Sequence, residues 1–182
     1  MSKLITYAGI GSRETPMPIQ TIMTQFATAA SKTHVLRSGG ATGADDAFFR
    51  GAKAGCDRYN LKYEDRIELF LPWDGFGGFS NEKDNFVYLA TLASHIIAEK
   101  YHPAYHKLTD AGKSLMARNS MQVLGRLLTD KTNFVVCYTS DGKASGGTGQ
   151  AIRIAENRGI PVYNLFHKNA YQFCKQFITK NS

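Results

Sequence analysis

The chain has 182 residues, of which 43% are hydrophobic and 20% are charged, and its formal net charge is +7. This length fits one domain that buries roughly 70% of the surface of its unfolded chain, and the composition is that of a globular protein rather than a disordered or fibrous one. The excess of positive charge favours anionic partners such as nucleotides or nucleic acid, although a protein that is merely basic and soluble has the same balance.

The three cysteines, Cys56, Cys137 and Cys174, are far apart and form no C-x-x-C pair. This pattern indicates neither a disulfide framework nor a zinc site, and it fits a reducing compartment. The first residues lack the basic-then-apolar pattern of a signal peptide, and no apolar run approaches the ~20 residues that span a bilayer. We therefore expect a cytoplasmic protein with no membrane partner, no metal and no cofactor.

Strand-like and helix-like segments alternate along the whole chain. In chain order, the pattern predicts a strand over residues 3–8, a helix over 18–31, a strand over 33–37, a helix over 43–55, a strand over 66–71, helices over 82–100 and 111–130, a strand over 133–138, a helix over 149–158, a strand over 160–164 and a helix over 169–180. Such alternation predicts a mostly parallel sheet with helices on both faces. We expect a single doubly wound α/β domain over residues 1–182, with its ligand beyond the carboxyl ends of the strands.

Three glycine-rich segments each follow a predicted strand and lead into a predicted helix. They are residues 9–13 (GIGSR), 38–43 (SGGATG) and 145–149 (SGGTG), and we call them the first, second and third loops. A glycine turn at a helix N-terminus exposes backbone N–H groups, and the helix dipole helps them to bind phosphate. Three such turns on one parallel sheet would lie along one edge, which predicts a ligand that carries phosphate.

The first loop does not complete a dinucleotide-binding fingerprint. Gly9 and Gly11 fit the first two positions of G-x-G-x-x-G, but Glu14 stands at the third, and no acidic residue ends the second strand. An ordinary NAD or FAD site is therefore not expected. The chain also lacks the G-x-x-x-x-G-K-[ST] sequence, so ATPase chemistry of the P-loop type has no support.

Side chains next to the loops supply groups suited to a nucleotide. Ser12 and Arg13 offer a hydroxyl and a guanidinium, and Arg118 in the predicted helix over 111–130 could reach back to the loops. Asp45 either stabilises the start of its helix or binds a sugar hydroxyl or base. The candidate ligand-binding residues are Gly9, Gly11, Ser12, Arg13, Ser38, Gly39, Gly40, Thr42, Asp45, Trp73, Arg118, Asn119, Lys143, Ser145, Gly146, Gly147 and Thr148.

Trp73 opens a glycine-rich stretch that also contains Phe76 and Phe79. Aromatic side chains in such a stretch can stack on a base, or they can anchor the loop by packing. We favour Trp73 as the stacking residue because it directly follows a predicted strand.

The order of these motifs resembles a known family. Residues 38–45 (SGGATGAD) resemble the S-G-G-A-x-G-x-D signature of the DNA-processing protein DprA (Smf), and residues 9–13 resemble its strand-ending G-S-R. Arg118-Asn119, Ser145-Gly146 and residues 160–162 follow the later half of that Rossmann-like domain in order. The resemblance covers nearly the whole chain and extends to the SLOG superfamily, which also holds the LOG phosphoribohydrolases. Residues 71–76 and 145–151 look like those of small phage-encoded members.

This resemblance implies a binding protein for a nucleotide or nucleotide-derived molecule, or for single-stranded DNA as in DprA, in the host cytoplasm if the chain is phage-encoded. An alternative is LOG-like hydrolysis of the N-glycosidic bond of a nucleoside 5′-monophosphate. LOG enzymes use an arginine, which Arg118 could match, and a glutamate in P-G-G-x-G-T-x-x-E. Here the third loop is followed by no carboxylate until Glu156, so hydrolysis would need Glu14, Asp45 or Asp141. We therefore rank binding above catalysis.

The predicted helix over 111–130 is apolar on more than one side. This width favours a homo-oligomer, a dimer or higher, unless another helix of the same chain covers the extra face.

Overall fold

The computed structural model describes residues 4–181, so residues 1–3, where the first strand was predicted to begin at Lys3, and residue 182 lie outside the described part. The strands are β1 (Ile5–Gly9), β2 (His34–Ser38), β3 (Ile67–Leu71), β4 (Val87–Leu89), β5 (Phe134–Cys137) and β6 (Val162–Asn164). The helices are α1 (Met17–Ala30), α2 (Ala44–Tyr59), α3 (Leu92–Tyr101), α4 (Asp110–Leu124), α5 (Gly146–Asn157) and α6 (Lys168–Asn181).

The six strands form one sheet in the order β4-β3-β2-β1-β5-β6, and every neighbouring pair is parallel. One face is covered by α1, α2 and α6 around a core that includes Phe26, Leu36 and Phe48. The other face is covered by α3, α4 and α5 around Val135 and Ile154. Parallel strands buried on both faces are mostly apolar, as β3 and β5 are. The predicted α/β fold with a parallel sheet between two helical layers is confirmed.

The helix predicted over residues 82–100 is wrong in its first half. Val87–Leu89 is an edge strand that pairs with β3, and α3 begins only at Leu92. Thr91 caps α3, since its Oγ1 accepts a hydrogen bond from the backbone N–H of Ser94 while the Ser94 hydroxyl accepts one from the N–H of Thr91. A run of three apolar residues is too short for its periodicity to separate a strand from a helix.

The helix predicted over residues 111–130 is too long at its C-terminal end. It stops at Leu124, where Gly125 caps it with φ of +77°. Met121, Val123 and Leu124 are almost completely buried within the chain, because α4 packs against α3, α5 and the sheet. Much of the apolar width of this helix is thus covered by its own chain, whereas Leu127, beyond the end of the helix, is 77% exposed. The expectation of an oligomer stays a prediction.

The topology sets the three loops side by side. β1 lies between β2 and β5, so the loops that follow these three strands meet at one edge of the sheet. Helix α5 starts at Gly146, three residues before the predicted start, so the third loop itself forms its first turn. Among the helices of residues 4–181, none is both long and apolar enough to cross a membrane.

Candidate functional site

A cleft of about 520 Å³ opens at this edge of the sheet. Its walls come from the first and third loops, the start of α2 and one side of α4. The lining residues are Ile10, Gly11, Ser12, Arg13, Glu14, Ala41, Asp45, Leu115, Met116, Arg118, Asn119, Gln122, Thr139, Ser140, Ser145, Gly146, Gly147, Thr148 and Ala151.

This cleft is lined by most of the candidate residues that the sequence predicted. They are Gly11, Ser12, Arg13, Asp45, Arg118, Asn119, Ser145, Gly146, Gly147 and Thr148, together with the alternative catalytic candidate Glu14. Others lie outside its lining, namely Gly9, Ser38, Gly39, Gly40, Thr42, Trp73, Lys143 and Asp141. The structure therefore brings the first and third loops together at the cleft and leaves most of the second loop behind it.

The second loop supports the cleft from behind. The Ser38 hydroxyl is buried and donates a hydrogen bond to the carbonyl of Gly9 at 2.8 Å. A Cβ on Gly39 would overlap Nη1 of Arg118, so only glycine lets that guanidinium approach so closely. Gly40 is covered by Leu71 and Phe79. The glycines of this loop serve packing rather than an open anion site.

The first loop is fixed against the start of α2. The carbonyl of Ser12 accepts a hydrogen bond from the N–H of Ala44 at 3.3 Å. Gly43 has φ of +83° and lies so close to the backbone of Arg13 that no side chain would fit. The backbone at Arg13 is therefore held in place, while its side chain is exposed at the rim of the cleft.

The third loop is ordered by Asp141. One oxygen of this carboxylate, Oδ1, accepts hydrogen bonds from the backbone N–H of Lys143 at 3.0 Å and from the Ser145 hydroxyl at 2.9 Å. These hydrogen bonds lower the pKa of Asp141. Asn119 completes the arrangement, since its Nδ2 donates to the carbonyl of Gly147 at 3.1 Å. Asp141 thus shapes the start of α5 from outside the cleft.

Two helix N-termini face this region, and their first turns differ. The first turn of α2 carries Asp45 and Asp46, so its dipole is already complemented by its own chain. The first turn of α5 has no acidic residue, and Gly146 and Gly147 expose their backbone there. A Cβ on Gly147 would meet only the mobile end of Met116, at 3.2 Å. The start of α5 is therefore open to an anion, whereas the start of α2 is not.

The floor of the cleft contains a buried ion pair. Nη1 of Arg118 lies 2.7 Å from Oδ2 of Asp45, and both side chains are more than nine-tenths buried. The same carboxylate oxygen accepts a hydrogen bond from the N–H of Ala41 at 3.4 Å. Burial raises the pKa of the Asp45 carboxyl, and the Arg118 guanidinium opposes this rise. On one side the guanidinium lies 5.9 Å from the ring centroid of Phe76.

Gln122 is a site residue that the sequence reasoning missed. Its Oε1 accepts a hydrogen bond from Nη1 of Arg118 at 3.4 Å, and it lines the cleft with only 1% of its surface exposed. Its position in the sequence could have indicated this, because Gln122 follows Arg118 by four residues and residues four apart on a helix share a face. The same spacing rule places Leu115 beside Arg118 and Asn119.

The charges that line the cleft balance. Its cationic side chains are Arg13 and Arg118, and its anionic side chains are Glu14 and Asp45. The positive charge of the chain as a whole therefore lies mainly on other surfaces.

Trp73 packs against its own loop. It is 43% exposed, and its ring meets Phe76 edge-on with centroids 5.2 Å apart. Phe79 in turn packs edge-on against Phe49 of α2. This aromatic segment covers the second loop, and its position fits the packing interpretation better than base stacking inside the cleft.

Within residues 4–181, no group of three or more His, Cys, Asp or Glu side chains is placed to hold a metal ion. No protein-family model matches the chain, and the searches of curated proteins and of solved structures find no significant match. Membership of the SLOG superfamily therefore stays a prediction.

Proposed function

We propose that the chain binds a nucleoside 5′-monophosphate or a close relative, with the phosphate at the first turn of α5 and the nucleoside in the remainder of the cleft. The observation that carries this proposal is the start of α5, which is free of acidic residues and faces a cleft of small-molecule size. Backbone N–H groups and the helix dipole act together at such a place. Ser12 and Arg13 stand at the same cleft to complete the contacts with phosphate oxygens.

The size and charge of the cleft favour a small nucleotide over a nucleic-acid strand. Its volume of about 520 Å³ lies within the range of about 300–1,000 Å³ typical of small-molecule sites. A strand-binding groove is positively charged along its length and carries several stacking aromatics. Here the lining charges cancel, and Trp73 lies outside. The site therefore suits a ligand with a single phosphate group better than the repeated phosphates of a nucleic-acid strand.

The motif order described above supports a SLOG-type, DprA-like or LOG-like assignment for the domain. The three cysteines are unpaired and buried, which supports a reducing compartment such as the cytoplasm.

Binding can be measured directly by isothermal titration calorimetry. We expect the ribonucleoside 5′-monophosphates to bind and the corresponding nucleosides to bind at least about tenfold more weakly, because the phosphate contacts are lost. The Arg13→Ala variant should bind the monophosphates more weakly than the wild type does, and it should bind the nucleosides with unchanged affinity. Single-stranded oligonucleotides of increasing length serve as the comparison. An affinity that rises steeply with length and falls steeply with salt, or no binding of any monophosphate, would contradict the proposal.

The carboxylates of Glu14 and Asp45 support a second candidate, hydrolysis of the N-glycosidic bond, because both line the cleft. Such a reaction needs a carboxylate to stabilise an oxocarbenium-like centre or to activate water. Asp45 is engaged by Arg118, which leaves Glu14 as the freer group. Chromatography of each bound monophosphate after prolonged incubation distinguishes the two functions. Release of free base that Glu14→Gln abolishes would favour the hydrolase.

A further inference from the structure

Two hydrogen-bond donors at the floor of the cleft have no acceptor among the described residues. They are Nε of Arg118 and Nε2 of Gln122, and both atoms are buried. Each belongs to a residue that lines the cleft, and these residues are 6% and 1% exposed. Buried polar groups in folded proteins almost always have a partner. The exceptions deserve a functional explanation when they line a cavity.

The orientation of the Gln122 amide follows from its neighbour. A guanidinium can only donate hydrogen bonds, so the amide must turn its oxygen towards Nη1 of Arg118, as observed at 3.4 Å. The NH₂ group is then the end of the amide left without a partner. This floor therefore presents donors, and a complementary ligand must bring acceptors.

The acceptor at the floor is better neutral than anionic. The charge of Arg118 is offset by Asp45 at 2.7 Å, and a second anion would be repelled by that carboxylate in a poorly hydrated place. The phosphate belongs at the start of α5, because its first turn has no acidic residue and the nearby Asp141 carboxylate already accepts hydrogen bonds from Lys143 and Ser145. A neutral acceptor therefore reaches the floor while the phosphate stays nearer the rim.

The cleft also has apolar walls that suit a planar ring. Ile10, Leu115 and Met116 contribute apolar groups to the same cleft, and a thioether packs well against an aromatic ring. A nucleobase combines a planar apolar surface with acceptors on its edge, whereas a ribose presents hydroxyls.

We propose that Arg118 and Gln122 determine which base is bound, and that they prefer a 6-oxopurine. This inference rests on the nucleotide-binding function proposed above. A 6-oxopurine such as guanine carries two neighbouring acceptors, O6 and N7, on one edge. Adenine places its N6 donor beside N7, and that donor would face another donor at the floor.

The preference can be tested by titrating GMP, IMP and AMP into the wild-type protein. IMP isolates the O6 and N7 edge because it lacks the 2-amino group of GMP. We expect GMP and IMP to bind on the order of tenfold more tightly than AMP. The analogue 7-deaza-GMP, which lacks the N7 acceptor, should lose most of that advantage. This analogue tests the floor without any change to the protein.

The matching variant is Gln122→Met, which keeps the length of the side chain and removes the donor. It should bring the affinities for GMP and AMP together, whereas Gln176→Met on α6, outside the cleft, should keep the wild-type ratio. Equal binding of GMP and AMP, or full affinity for 7-deaza-GMP, would overturn the inference about the floor and leave the proposed function intact. If no monophosphate binds, or nucleosides bind equally well, the proposed function itself fails.

Discussion

At the scale of single residues, the cleft depends on an arginine and an aspartate that are buried together. Arg118 reaches Asp45 only because Gly39 has no side chain in its path. Removing one member of a buried pair leaves the other charged and desolvated, which is far more costly than replacing both by neutral groups. The pair therefore holds α4 and the start of α2 in a defined relation, and it sets the charge at the floor.

We expect Arg118→Met to lower the free energy of unfolding by about 3–5 kcal/mol at pH 7, because Asp45 is left without its partner. The double variant Arg118→Met/Asp45→Asn should recover most of this loss. Urea denaturation of both variants measures the difference.

The pH dependence of the single variant provides a control. Burial already raises the pKa of Asp45 against the opposing effects of Arg118, the Ala41 N–H and Arg13, so loss of Arg118 should raise it further above that of the unfolded chain. The folded variant then binds a proton more tightly than its unfolded chain does. Its loss in the free energy of unfolding relative to the wild type should therefore be largest at pH 7 and shrink as the pH falls towards 4.5. Equal losses in the single and double variants would contradict this account of the pair.

At the scale of elements, the start of α5 is the part of the fold suited to an anion. Asp141 holds Ser145 and the backbone of Lys143 from outside, while the first turn of the helix has no acidic residue. A helix N-terminus without an acid forgoes about 0.3–1 kcal/mol of stability that an aspartate would contribute. The proposed phosphate site would account for the absence of an acidic residue in this turn.

We expect Gly147→Asp to raise the free energy of unfolding by about 0.3–1 kcal/mol through the helix dipole. The same change should weaken binding of nucleoside 5′-monophosphates by about tenfold or more, because the new carboxylate occupies and repels the phosphate site. Thermal unfolding and calorimetric titration measure the two effects separately.

The matched control is Gly147→Asn, which has nearly the same size and no charge. It should lose less affinity than the aspartate variant. A Gly147→Asp protein that binds monophosphates like the wild type would place the phosphate elsewhere in the cleft.

At the scale of the whole molecule, the layer of α1, α2 and α6 is joined to the sheet through an aromatic core. His34 opens β2 within this core, and its ring lies 5.8 Å from Phe134 and 5.4 Å from Phe177 of α6, centroid to centroid. Burial lowers the pKa of His34, and a hydrogen bond that the imidazole donates to the backbone carbonyl of Ala30 partly opposes this. The neutral imidazole is therefore the form that the folded chain prefers.

His34 should consequently contribute a loss of stability in mild acid. The unfolded chain takes up the proton near pH 6.5, before the folded chain does, so the free energy of unfolding is highest above that pH and decreases below it. For one proton the decrease is at most about 1.4 kcal/mol per pH unit. Urea denaturation at pH 7.5 and 5.5 measures the change in the free energy of unfolding with pH. This change should be smaller in His34→Phe than in the wild type. It should be unaltered in His106→Phe, because His106 is exposed. An unchanged slope in His34→Phe would rule out this role.

Local sequence patterns determined the α/β alternation, the parallel sheet and the positions of the three loops. These features depend on residues close together in the chain, such as an apolar run followed by a glycine turn. The same rules fail for β4, because Val87–Leu89 is too short to show a period and becomes a strand only by pairing with the edge of β3.

Only the tertiary structure decided which of these elements build the candidate site. Asp45 and Arg118 are 73 residues apart, and nothing local to either one shows that they neutralise each other. The second loop has the same glycine-rich pattern as the third, yet its helix already carries its own acids and its glycines serve packing. The physical reason is that local sequence sets backbone conformation, whereas burial and charge pairing depend on what the folded chain brings alongside.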